Sequence, residues 1–337
     1  MDAPKPCKLG LALSGGTLKA AAHVGVLDAL HKMGIQFDCV AGTSAGSFVG
    51  ALYAHGFQPQ DMVRLVDDFP GPRLLDYGFP LVSSMITLTR HRLWPKWPSK
   101  AFSLPSGLLQ GRRLERYFRK ALKGRAYQIP YYAIATDLFT GFPIVYAHPF
   151  DRKEGPEPEL PTMLGVRAVQ PIDDVARVVR GSCSLPGIFT PVVIGPHLIV
   201  DGGLRSYVPV EVLRDVGCTH IIAVNLYRLE EEWYPESFAH VLTRSFDILL
   251  DETIDADIKG DDVFSIAPDV SHISFVSFGD MKTSVEAGRK AVYERQEEIR
   301  QFLNTDTFSG DARTNIGQTK QKRTKDSVSP ALKITLR

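Results

Sequence analysis

Residues 37–53 read Phe37-Asp38-Cys39-Val40-Ala41-Gly42-Thr43-Ser44-Ala45-Gly46-Ser47-Phe48-Val49-Gly50-Ala51-Leu52-Tyr53. The first five are a short apolar run, which predicts a buried strand. Gly42-Thr43-Ser44-Ala45-Gly46 interrupts it with small residues. Phe48, Val49, Ala51, Leu52 and Tyr53 then continue the chain as a helix. The stretch upstream repeats this order. Leu9-Gly10-Leu11-Ala12-Leu13 is an apolar run stopped by Ser14-Gly15-Gly16. From Thr17 to Met33 there is no proline; Leu18, Ala21, Ala22, Gly25, Val26, Ala29 and Leu30 recur at helical spacing, and Gly34 closes the segment. Strand, Gly-rich turn and helix, twice in succession, predict an α/β fold with a parallel sheet covered by helices.

Downstream, strands are expected at residues 132–135, 143–146, 220–226 and, more weakly, 262–267. Residues 191–194 and 197–200 read as a hairpin around Gly195-Pro196. Helices are expected at 174–184, 238–258 and 282–303. There is no internal repeat. Two segments differ from the rest. Residues 74–109 mix Phe79, Leu81, Met85, Trp94, Trp97 and Phe102 with Arg90, Arg92, Lys96 and Lys100, a blend that suits a membrane interface or a mobile cover over an acyl pocket and equally a packed subdomain of the core. Residues 309–337 are polar and carry an excess of five positive charges, the pattern of a solvated tail.

Composition narrows the function classes. The chain has 337 residues, with 39 Lys+Arg against 38 Asp+Glu, and 44% hydrophobic residues. It is long enough to bury a large core without staples. The balanced charge argues against a nucleic-acid partner. Cys7, Cys39, Cys183 and Cys218 form no C-x-x-C pair, so neither a metal centre nor a disulfide framework is expected. The start of the chain lacks a secretory apolar stretch, and no uncharged run of about 18 apolar residues occurs. A cytoplasmic protein is the expectation, with peripheral membrane contact through the Trp-rich segment and the basic tail.

The chemistry centres on the first quoted turn. Gly42 to Gly46 fits G-x-S-x-G, in which a serine sits on a sharp strand-to-helix turn with its hydroxyl exposed. Small neighbours let the turn close, and the following helix aims its positive end at developing negative charge. Ser14-Gly15-Gly16-Thr17-Leu18-Lys19 lacks both the dinucleotide and the Walker patterns. It reads instead as a bend whose backbone N–H groups face an anion at a helix start. Asp201-Gly202-Gly203, after the apolar run 197–200, places a carboxylate at a strand end. By itself an Asp-Gly pair reads as a turn.

Together these elements resemble the patatin-like phospholipases. Residues 14–27, reading SGGTLKAAAHVGVL, look like that family's oxyanion segment. Gly42 to Gly46 matches its nucleophile elbow, and Asp201-Gly202-Gly203 its catalytic aspartate element. Residues 181–191, reading GSCSLPGIFTP, resemble the stretch that precedes the aspartate. The resemblance runs from about Leu9 to Asp215. It implies a three-layer α/β/α sandwich with a mainly parallel central sheet, residues 9–215 forming the family domain and 216–308 completing it. It implies a serine acyl hydrolase acting on fatty-acyl esters of lipids through a Ser44–Asp201 dyad. The amides of Gly15, Gly16 and Thr17 would hold the oxyanion, with Lys19, Gly42, Gly46, Gly202 and Gly203 in support, and no cofactor or metal is required. No histidine is needed, and His23 reads as a packing or capping residue.

The departures motivate an alternative. Thr17 stands where the family usually has a third glycine, Lys19 where it has arginine, and Ala20 where it has glycine. Since threonine lacks glycine's freedom at positive φ, Thr17 is expected to keep an ordinary backbone. Lysine keeps the charge of arginine but not its fork. A catalytically weak lipid-binding or regulatory protein on the same fold is therefore the second reading. A triad using a late histidine such as His272 is the competing enzyme mechanism.

Overall fold

A computed structural model describes residues 8–77, 107–149, 159–162, 165–228, 258–271 and 278–304, with the isolated positions 234, 241, 244, 245, 248 and 254. The Trp94/Trp97 segment, the basic tail, His272, Cys7 and most of the helix expected at 238–258 lie outside the described residues.

The chain opens with β1 (Leu9–Leu13), a single 3-10 turn (Thr17–Ala20) and α1 (Ala21–Lys32). It repeats the order in β2 (Cys39–Thr43) and α2 (Ala45–Ala54), followed by α3 (Pro59–Asp67). Next come β3 (Gly107–Leu109), α4 (Arg112–Leu122), β4 (Tyr131–Asp137), β5 (Pro143–His148), β6 (Glu159–Thr162) and β7 (Gly165–Pro171). Then follow α5 (Val175–Ser182), β8 (Gly187–Phe189), β9 (Val192–Ile194), β10 (His197–Asp201) and α6 (Val210–Asp215). β11 (His220–Val224), β12 (Val263–Ile266), α7 (Met281–Tyr293) and α8 (Gln296–Asn304) complete the described elements. The helix expected over 282–303 is thus two helices, divided near Arg295. That guanidinium turns away to bond the Ser265 carbonyl at 2.6 Å and Glu298 at 2.8 Å.

The strands line up as β12-β11-β1-β2-β4-β5-β7-β6, with β10 also on β4 and β9 on β10. Pairing is parallel from β12 through β4, while β4–β5, β6–β7, β4–β10 and β9–β10 are antiparallel. Central strands buried on both faces read as continuous apolar runs rather than alternating ones, which is why LGLAL and HIIAV were legible. Successive side chains still point to opposite faces. Leu11, Leu13, Val40, Ile222 and Val224 meet the layer of α1, α2, α4, α5, α7 and α8. Ala12, Ala41, Ile221 and Ala223 meet α6 and the residues Ile254 and Ile258. The expected three layers are therefore present.

Candidate active site

β4 carries two strands on one edge. β2 pairs with its first part, Thr43 lying opposite Ile134, and β10 with its last part, Asp201 lying opposite Ala135. β2 runs parallel to β4 and β10 antiparallel, so their C-terminal ends meet head-on at consecutive rungs. Ser44 follows Thr43 directly. Its Oγ donates to Asp201 Oδ2 at 2.6 Å, although 157 residues separate the two.

The elbow itself is bent. Ser44 has φ 52 and ψ −130, a region that costs a side-chain-bearing residue about 1–3 kcal/mol and persists only where surroundings enforce it. The surroundings here are specific. The Ser44 amide donates to Ser182 Oγ at 2.9 Å, and that hydroxyl donates on to the Ile134 carbonyl at 2.5 Å. The Ser44 carbonyl accepts from the Ser47 amide at 2.8 Å and from Ser47 Oγ at 2.5 Å. Thr43 Oγ1 binds the Ser206 carbonyl at 2.9 Å. A Cβ at Gly42 would collide with the Gly46 backbone, and one at Gly46 with the Ser14 carbonyl. The two glycines of the motif thus allow the turn to close and to pack on the end of β1.

Asp201 is buried, and burial pushes its carboxyl up to about 6 against the opposing pull of the Ser44 hydroxyl and the Gly203 amide. Gly203 N donates to Oδ1 at 2.8 Å, leaving Oδ2 to the serine. The carboxylate is therefore a stronger base than an exposed one and remains largely ionised at neutral pH.

The Gly15-Gly16 bend lies against this pair: a Cβ at Gly15 would stand 3.4 Å from the Ser44 Cβ. Its base is fixed by three bonds. Ser14 N donates to the Val224 carbonyl at 3.1 Å, Leu226 N to Ser14 Oγ at 3.0 Å, and His23 Nε2 to the Ser14 carbonyl at 2.9 Å. His23 is buried, which lowers its imidazole to about 4, so it stays neutral and serves the loop backbone. No acceptor among the described residues takes the amides of Gly15 and Gly16.

The expectation for Thr17 is overturned. Its φ is 48, positive, after Gly16 at φ 154. The chain must leave β1 and start a 3-10 turn within a few residues, and Gly16 alone does not absorb the reversal. Thr17 is exposed, which gives its branched side chain room. Lys19 is buried rather than held out toward solvent. Gly202 approaches β4 so closely that a Cβ there would collide with the Ile134 carbonyl.

In the sequence Ser182 stands out only as part of residues 181–191, and neither Ser47 nor Arg180 belongs to a motif that singles it out. Arg180 is a buried guanidinium that bonds the carbonyls of Gln110 at 2.6 Å and Thr190 at 2.9 Å and the Ser184 hydroxyl. Ser184 O in turn accepts the Asp201 amide at 3.0 Å. The available signal was the run of small residues just ahead of the aspartate. Cys39 and Cys218 are buried free thiols 3.2 Å apart. Among the described residues no group of three or more His, Cys, Asp and Glu is placed to hold a metal, and no helix is long and apolar enough to cross a membrane.

Residues 11–214 match the family described as patatin-like phospholipase. The chain is 29% identical to YqhO of Bacillus subtilis over 65% of this chain and 71% of that protein. It is 31% identical to the patatin-like phospholipase domain-containing protein ZK370.4 of Caenorhabditis elegans, over 66% of this chain and 14% of that one. With lysophospholipase NTE1 of Kluyveromyces lactis the identity is 26%, over 66% of this chain and 13% of the yeast protein. The chain thus spans only a small part of the last two.

Proposed function

This chain belongs to the patatin-like phospholipase family, and on that premise we propose that it is a serine hydrolase cleaving fatty-acyl esters of lipids through Ser44 and Asp201. The observation that carries the reading is the 2.6 Å hydrogen bond between the strained, buried Ser44 and the buried Asp201. Ser44 Oγ attacks the ester carbonyl while its proton passes to Asp201 Oδ2. The negative charge that forms on the carbonyl oxygen is received by the amides of Gly15 and Gly16, with Thr17 beside them, and such donors contribute roughly 3–4 kcal/mol each. Collapse expels the alcohol, which takes the proton from Asp201 and leaves an acyl-Ser44 ester. Asp201 then accepts a proton from water, the hydroxide releases the fatty acid, and the proton returns to Ser44. Positive helix ends following both turns favour the developing anion.

Fluorophosphonate labelling with a panel of lipid esters tests the reading. Wild type is expected to label at Ser44 and to release fatty acid, while Ser44→Ala and Asp201→Asn do neither. Labelling that persists in Ser44→Ala would overturn it.

A further inference from the structure

Beyond the dyad, one surface at the same end of the sheet stands out. The turn joining β4 to β5 exposes Leu138, Phe139 (72% accessible) and Phe142, and Val193 of β9 is exposed beside it. These are four of the ten large hydrophobic residues that the described chain exposes. They adjoin each other. Leu138 N donates to the Leu198 carbonyl at 2.8 Å, and Leu198 lies opposite Val193. Residues directly opposite in antiparallel strands share a face, so Leu138, Leu198 and Val193 form one apolar row.

The row is rigidly held. The buried Asp137 carboxylate accepts from Thr140 Oγ1 at 3.0 Å and from the amides of Phe139 and Leu198 at 3.2 Å. Gly141 N donates to the Asp137 carbonyl at 2.8 Å. The rim is cationic. Exposed Arg205 binds the Gly141 carbonyl through Nε at 2.6 Å, and exposed Arg177 binds the Val193 carbonyl through Nη2 at 2.9 Å. Each arginine is thus tied to the backbone of a strand or turn that presents the apolar side chains.

We propose that this face, formed by residues 138–142 and 193–198 with Arg177 and Arg205 at its rim, docks the protein on the surface of an anionic lipid bilayer. Exposed aromatic and aliphatic tips enter the headgroup boundary, and guanidinium groups beside them match phosphate oxygens. The position suits a lipid hydrolase. Asp201 pairs with Ala135, so the tip lies three to four residues beyond that rung, roughly 10–13 Å at about 3.3 Å per residue. A docked chain therefore presents its serine end toward the leaflet. This inference rests on the reading of Ser44 and Asp201 as a lipid-ester dyad for its purpose, but its surface is separate from them.

Co-sedimentation of the full chain with phosphatidylcholine vesicles, with and without phosphatidylglycerol, tests it. Wild type and Ser44→Ala are expected to bind the anionic vesicles equally. Phe139→Asp is expected to bind at least tenfold more weakly while hydrolysing a soluble short-chain nitrophenyl ester within twofold of wild type, which also reports folding. The double variant Arg177→Glu/Arg205→Glu is expected to lose the preference for anionic vesicles. Unchanged partitioning of Phe139→Asp would overturn the docking face and leave the dyad intact. So would wild type failing to bind, or Phe139→Asp converting a dimer to a monomer with vesicle binding unchanged, which would assign the face to a second copy. Loss of soluble-ester turnover in Ser44→Ala is read separately and decides the dyad alone.

Discussion

Two turns at the C-terminal ends of neighbouring parallel strands make this site, and they solve the same backbone problem with different chemistry. Ser44 and Thr17 are the non-glycine residues at positive φ among the described residues, at 52 and 48. At the elbow, both backbone groups of Ser44 and its hydroxyl have buried partners. At the other turn Thr17 is exposed, and the amides of Gly15 and Gly16 are kept from every described acceptor. One turn is over-determined, its serine fixed on every side. The other leaves two backbone donors without a described acceptor, which is what the proposed oxyanion role requires.

The largest test of that contrast removes the reactive atom. Ser44→Ala should lower lipid-ester turnover by about 10⁴-fold or more, with thermal stability little changed. Ser44→Gly should abolish turnover too, yet raise stability by roughly 1 kcal/mol because the positive φ ceases to cost. A Ser44→Gly protein less stable than wild type would mean the elbow stores no strain.

Asp201 comes next. Its carboxyl is raised from 3.8 to about 6 by burial. The native state then binds more protons than the unfolded chain between those values, so its contribution to stability falls as pH rises from about 4 to about 6. At pH 8 the penalty is on the order of 3 kcal/mol. Asp201→Asn should therefore be inactive and more stable at pH 8, by a chemical-denaturation midpoint. In wild type, kcat/KM should rise with pH to a plateau above about 6, since the base must be ionised.

Ser182 separates the two turns at intermediate cost. Where β4 exchanges β2 for β10, the Ile134 carbonyl faces the gap, and one hydroxyl serves both it and the Ser44 amide. Ser182→Ala leaves two buried groups unpaired, worth about 1–3 kcal/mol each. It should cut kcat by roughly ten- to a hundredfold at unchanged KM, and Ser182→Thr should restore most of it. Equal loss in both variants would point to packing alone. The smallest effect is expected at Thr17→Gly, a gain of about 1 kcal/mol in unfolding free energy with turnover changed less than tenfold. A loss of stability there would show that the threonine side chain, not its backbone, matters.

Much of this was legible in residue order. The apolar runs and the Gly-rich breaks announced α/β layers, and G-x-S-x-G between a strand and a helix pointed to Ser44. Thr17 was misread because a preference for negative φ is local, whereas the turn's geometry is imposed by where β1 and α1 must lie. Ser182 lies in a legible run of small residues, but its role was not legible there, because that role depends on two strand ends that lie far apart in the chain.

The sequence by itself determined the layers and the chemical types available: a serine on a tight turn, an aspartate at a strand end, glycines at a helix start. Periodicity and backbone freedom are short-range properties, so they can be read from neighbours. Only the tertiary structure decided that β2 and β10 share one edge of β4, which brings Ser44 and Asp201 to 2.6 Å across 157 residues. Burial at that junction then moves the Asp201 carboxyl upward, since removing water disfavours the charged form. Register and desolvation are properties of the assembled sheet.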